Sequence, residues 1–271
     1  MIFCRFWKRN GLPLPRGRNK QQKKITEAAN MRMDVNRKRL GPCLAIQRNR
    51  RLYEKVRDTY ARLPIVSHGW DHIHRCLLNA VMIAETESCR MDIIFAAALL
   101  HDIGFIGNPD PAGHHERGAA ACANWLEDWS EAERAAIRDC IYSHKGKAQG
   151  FGTIPVSIEQ KIICDADLLE KVGYTGLFQS VITFAEFGAT CWPQYRSLEH
   201  ILSHLVGVEE IEFYTRRARE ISAERGGTTE RRAIQARAVD ELADYYGLPE
   251  NAQHQFPAAE ATADCPDSMG R

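Results

Sequence analysis

Seven of the ten histidines, His68, His72, His74, His101, His114, His115 and His144, fall within residues 68–144, where an even spread would leave about three. Imidazoles in company with carboxylates suit divalent transition metals such as Fe, Mn, Ni or Zn, and a ligand set poor in cysteine argues against a purely structural zinc site. One cavity must collect these side chains if they are ligands, so the elements that carry them decide the matter.

Apolar residues recur at helical spacing through this region. Ile73, Cys76, Leu77, Ala80, Val81 and Ala84 mark one face of a helix from about residue 70 to 86, with Asp71 a candidate cap. Met91 to Leu100 is apolar nearly all round, as a central buried helix must be, and Gly104, Gly107, Pro109 and Pro111 then break the chain. Further helices are predicted at 115–127, at 130–144 with Ser130 as N-cap and Glu133 three residues on, and at 157–172 with Ser157 and Gln160 in the same relation. Patterns at 177–187, 198–205, 209–223 and 229–246 complete the series. No run alternates as a strand does, so the fold class is all-α, a helical bundle over residues 52–250.

On those helices His101 and Asp102 end the most buried one, where an Asp without a partner would be costly. His72 lies in the first turn of its helix beside the apolar face. His144 follows Ile137, Cys140 and Ile141 on the face they define, and Asp167 stands one turn after Ile163 among apolar neighbours. A cation would satisfy these inward groups. His115 competes with His114 as a ligand, and Asp165 with Asp167. His68 and His74 read as residues that orient a ligand or lie on the surface.

The order His72, then His101-Asp102, then Asp167 resembles the HD-domain superfamily of metal-dependent phosphohydrolases. Bimetallic members add a His in a His-x-x-x-Gly-Ala context and a His ending the next helix, which His114 with Gly118-Ala119 and His144 match. The stretch His68 to Arg75 and the stretch Phe213 to Ile221 are similar to a bacterial subgroup of small HD hydrolases, and the likeness spans about residues 65–245. The resemblance implies one or two divalent ions (Mn, Fe, Ni, Co, Mg or Zn) held by His72, His101, Asp102, His114, His144 and Asp167, with His101 and Asp102 central to catalysis. It implies hydrolysis of a phosphate ester or anhydride, of a nucleotide-like small molecule, by metal-activated water. Phe105 stands where cyclic-dinucleotide phosphodiesterases of the superfamily carry Lys, and Leu168 where many relatives carry a phosphate-contacting Arg; Arg117, Lys145 and Lys147 are the candidate substitutes. The same six ligands also resemble those of HD-type diiron oxygenases, and a non-catalytic ligand sensor is a third reading.

The charge is uneven. Residues 1–51 hold 15 of the 36 Lys and Arg against Glu27 and Asp34 alone, while the remainder is acidic despite a formal net charge of +1. That opposes a broad nucleic-acid face on the folded part and confines any weak polyanion binding to the basic segment, which is expected to be a disordered extension. Residues 251–271 read as a flexible tail. Nine scattered cysteines without a close pair point to a reducing cytoplasm, and no run reaches the length of a spanning helix.

Overall fold

The computed structural model describes residues 35–36, 38–146, 154–198, 201 and 211–246. Residues 1–34, the 251–271 tail, Lys147 and most of the helix expected over 198–205 lie outside that set. The chain divides into one unit up to Pro42, helical where described, and a second from Cys43 onward.

The second unit is helical, with no strand among its described residues. Its first helix, α1 (Gln47–Tyr60), runs across the boundary expected at residue 51. It buries Leu52, Val56 and Tyr60 at successive i+4 positions. So narrow a stripe among Arg and Lys leaves little periodic signal in the sequence, and the helix gains its stability from packing on a neighbour. Two helices follow where periodicity puts them, α2 (Trp70–Ala84) and α3 (Met91–Leu100). Asp71 does not cap α2: Gly69 occupies the cap position, and Asp71 sits in the first turn, where its charge favours the helix dipole.

Ile93 to Leu100 are all buried, and α3 is in contact with α1, α2, α5 (Glu131–Ser143) and α6 (Ile158–Leu168). The core is therefore arranged around α3, and whatever ends α3 ends inside the bundle. Both α5 and α6 begin with the expected capping boxes, Ser130 with Glu133 and Ser157 with Gln160. Between α3 and α5, α4 (His114–Ala121) is shorter than predicted, tightening into a 3-10 turn at Cys122–Trp125. Helix α6 likewise tightens at Leu169–Lys171.

Helix α7 (Gly173–Thr190) extends beyond the predicted 177–187 at both ends. Conversely α8 (Arg216–Glu224) begins well after the predicted 209, because Thr215 caps it: the Thr215 hydroxyl accepts the Ala218 N–H at 3.2 Å. The last helix, α9 (Thr229–Tyr246), matches its prediction and packs on α7.

Candidate metal centre

Four elements converge at the C-terminal end of α3. His101 is its C-cap, and Asp102 follows with φ −107° and ψ 13°, turning the chain into a 3-10 turn at Ile103–Phe105. Gly104 lets that turn lie against the start of α4, since a Cβ there would overlap the His114 carbonyl. His72 comes from the first turn of α2, His114 opens α4, His144 caps α5 and Asp167 lies in the last turn of α6. His72, His101, Asp102, His114 and His144 are all at most 3% exposed.

The short contacts centre on Asp102. Its Oδ2 lies 3.2 Å from His72 Nε2 and 3.3 Å from His101 Nε2, while Oδ1 lies 3.3 Å from His114 Nε2 and 3.6 Å from His144 Nε2. Asp167 Oδ1 is 3.5 Å from His72 Nε2. The imidazoles pair as well, Nε2 to Nε2, at 3.2 Å for His72 with His101 and 3.1 Å for His114 with His144. One carboxylate thus stands between two groups of donors, His72, His101 and Asp167 on one side and His114 and His144 on the other.

Tautomers follow from the other ring nitrogen. His101 Nδ1 lies 2.9 Å from the Ala98 carbonyl, His114 Nδ1 2.8 Å from that of Pro111, and His144 Nδ1 2.6 Å from that of Ile141. A carbonyl only accepts, so each Nδ1 donates, and in the neutral ring the Nε2 lone pair faces the cluster. Burial pushes the pKa of His144 well below the ordinary range and lowers that of His114, so both rings are neutral at pH 7. Two bare lone pairs then meet at 3.1 Å. Asp102 Oδ2 is buried without a hydrogen-bond partner despite its near neighbours. Lone pairs that face each other, as those of His114 and His144 do, point at a common acceptor, and a divalent cation fits that acceptor.

The His72 side is tuned differently. Burial disfavours charge on His72, but Cys76, Asp102 and Glu170 outweigh it and raise its pKa well above the usual value; for His101, Asp102 and Cys76 likewise outweigh burial. The same imidazoles hold Asp102 well below the carboxylate range against its own burial. Behind His72, Glu170 Oε2 lies 3.8 Å from Nδ1 and accepts from Arg75 Nε at 2.5 Å, and its other oxygen accepts from Asn79 at 3.2 Å. Asn79 in turn accepts from Arg225 at 2.8 Å. Sequence reasoning missed Glu170, Asn79 and Arg225; the one available signal was a charged residue inside the apolar run after Asp167.

The alternatives fall elsewhere. Asp165 accepts the Tyr214 and Thr215 N–H groups at 2.9 and 2.7 Å and the Thr215 hydroxyl at 2.7 Å, fixing the start of α8 away from the cluster. His115 lies tilted against Tyr142, with ring centroids 5.7 Å apart, outside both donor groups. Arg117 donates to the carbonyls of Gly104 at 3.1 Å and of Asp110 and Ala112 at 2.5 Å, which braces the loop before α4. Lys145 lies beside the cluster: burial and Lys171 bring its pKa down to about 8 against the pull of Asp167 and Asp102. His68 stacks on Phe105 at 4.2 Å and, more loosely, on Phe187 at 5.6 Å, and burial holds it neutral with a pKa of about 3. His74 stacks on Trp70.

Residues 69–171, the stretch that carries all six of these donors, match the HD domain family. The chain is 25% identical over 162 residues to the uncharacterized protein YpgQ of Bacillus subtilis, covering 58% of this chain and 77% of that one. Among solved structures it is similar to a predicted HD superfamily hydrolase from an uncultured Thermotogales bacterium (22% identity, 73% of this chain, 92% of the other, TM-score 0.46). It is also similar to YpgQ in complex with ADP (19% identity, 73% and 97%, TM-score 0.43).

Proposed function

We propose that the protein is a metal-dependent phosphohydrolase that cleaves a phosphate ester or anhydride of a nucleotide-like small molecule with a metal-activated water. The observation that carries the reading is the meeting of the His114 and His144 lone pairs at 3.1 Å over a carboxylate whose second oxygen has no hydrogen bond. His72, His101, Asp102 and Asp167 would hold one divalent ion, and Asp102, His114 and His144 a second. A divalent ion supplies a nucleophile at neutral pH by lowering the pKa of bound water from 15.7 toward about 7.

The chain's own residues do the rest. The backbone carbonyls of Ala98, Pro111 and Ile141 keep three imidazoles aimed inward, so no rotamer search precedes binding. Glu170, itself gripped by Arg75 and Asn79, backs His72. Lys145, which feels the charges of Asp167 and Asp102, would supply a cation to a phosphoryl oxygen. Phe105, which is buried, and the half-buried His68 stacked on it would limit water at the donor cluster.

Protein stripped with a chelator and reloaded with Mn, Co, Ni or Fe, then offered a panel of nucleoside phosphates and simple phosphate esters, should turn over only when loaded. In labelled water one heavy oxygen should enter the product per hydrolytic event. Label arriving from dioxygen instead would replace the hydrolase by an oxygenase, and absence of turnover with every metal would favour a ligand sensor.

A further inference from the structure

The apolar face of α2 contains one residue that reaches the donor cluster. Cys76 lies one turn after His72, is 2% exposed, and places Sγ 3.6 Å from His72 Nε2 and 3.8 Å from its Nδ1. A sulfur, an imidazole nitrogen of His72, one of His101 and an oxygen of Asp167 all lie within 4.8 Å of one another. As a packing residue alone, Cys76 would do no more than fill space beside the ring. We propose instead that Cys76 is a thiolate ligand of the ion held by His72, His101 and Asp167, which makes the two halves of the centre chemically unequal; the inference rests on the metal centre proposed above.

Three observations carry it. A tetrahedral ion with bonds of about 2.3 Å to sulfur and about 2.1 Å to nitrogen sets those two atoms about 3.6 Å apart. The observed sulfur to nitrogen separation is 3.6 Å. The His72 to His101 separation of 3.2 Å lies between the values of about 3.4 and 3.0 Å expected for tetrahedral and octahedral ions at the same bond length. Independently, the buried and unbonded Asp102 Oδ2 faces this same group, within 3.3 Å of both imidazoles, and marks it as a cation site without reference to sulfur.

The consequence is metal choice. Thiolate is a soft donor and favours Zn, Co or Fe(II) over Mg and Mn, whereas Asp102, His114 and His144 offer only nitrogen and oxygen. As the metal–sulfur bond forms, the thiol proton passes to solvent. With Cys76 added to His72, His101, Asp102 and Asp167, that side can fill its coordination from protein donors alone, while the three donors of the other side leave positions open. The centre is then built to take a thiophilic ion in the first group and to bind water in the second.

The test uses the full chain, stripped of metal and titrated with Co(II). A sulfur-to-cobalt charge-transfer band in the near ultraviolet should accompany the visible ligand-field bands, and should vanish in Cys76→Val while the visible bands remain. Zn(II) affinity should fall about 100-fold or more in that variant, with Mn(II) affinity changed less than about threefold. Cys76→Ser, which keeps the side-chain size, guards against misfolding and should also lose the band. Cobalt bound without the band, or a band that survives Cys76→Val, overturns the thiolate ligand and leaves the metal centre standing. No cobalt bound at all overturns both.

Discussion

Asp102 is the residue on which the most contacts depend, since its two oxygens face different pairs of imidazoles. Asp102→Ala should therefore abolish binding on both sides, whereas His114→Ala should lower the stoichiometry from two ions toward one, both read by metal analysis after dialysis. The Asp pair on α6 makes a sharper contrast. Asp165→Ala strands the buried Thr215 N–H and hydroxyl and the half-buried Tyr214 N–H, and should cost about 3 kcal/mol in urea unfolding while metal content stays unchanged. Asp167→Ala should lower metal content with little loss of stability in the metal-free protein. The opposite pattern would exchange their roles. One step further out, Glu170→Gln weakens the grip on His72 and should reduce metal affinity by about 10- to 100-fold.

Three helices are joined by one side chain. Arg48 of α1 reaches Asp92 in the first turn of α3 at 2.6 Å and Glu133 in the first turn of α5 at 2.8 Å, and lies 4.0 Å over the Trp129 ring. Hydrogen bonds from Arg48 and from the Ser130 backbone hold Glu133 down at a pKa of about 2. A depressed folded pKa stabilises above the unfolded value, near 4.3, and that contribution is lost as pH falls through 2. Glu133→Gln should thus cost about 1 to 2 kcal/mol at pH 7, allowing for solvent screening of a quarter-exposed pair, and almost nothing near pH 2. A cost independent of pH would assign the loss to the capping box alone. These contacts also show what could be read in advance. Capping boxes and the all-apolar α3 were legible because each is local in sequence. The α1 helix was not, because three buried apolar residues in fourteen give a weak period. The six candidate ligands were legible through their order and spacing. The choices of Asp167 over Asp165 and of His114 over His115 rested on the resemblance, and the tie of Asp165 to Thr215, fifty residues away, became visible only in the fold.

At the scale of the molecule the charges separate, with the basic residues concentrated before residue 52 and the acidic ones after it. Removal of residues 1–34 should therefore abolish retention on an immobilised polyanion at low salt while leaving metal content unchanged. Among the described residues no helix is long and apolar enough to cross a membrane.

The same bundle must contain its donor cluster whether or not an ion is present. Without one, neutral His114 and His144 oppose lone pairs, and Asp102 keeps an oxygen unbonded in a site at most 3% exposed. An unfolded chain has no such arrangement, so an ion that binds the folded state adds to its stability as RT ln(1 + [L]/Kd), about 2.7 kcal/mol at a hundredfold excess over Kd. For a helical unit of this size that corresponds to a rise of about 5 to 10 °C in the melting temperature. Thermal unfolding of the stripped protein should show the rise on adding Co(II) or Mn(II), graded with concentration. His101→Ala, which removes a donor at the end of the central helix, should lose most of it even where its own stability is only modestly reduced. A rise of equal size in that variant would place the stabilising ion somewhere other than the end of α3.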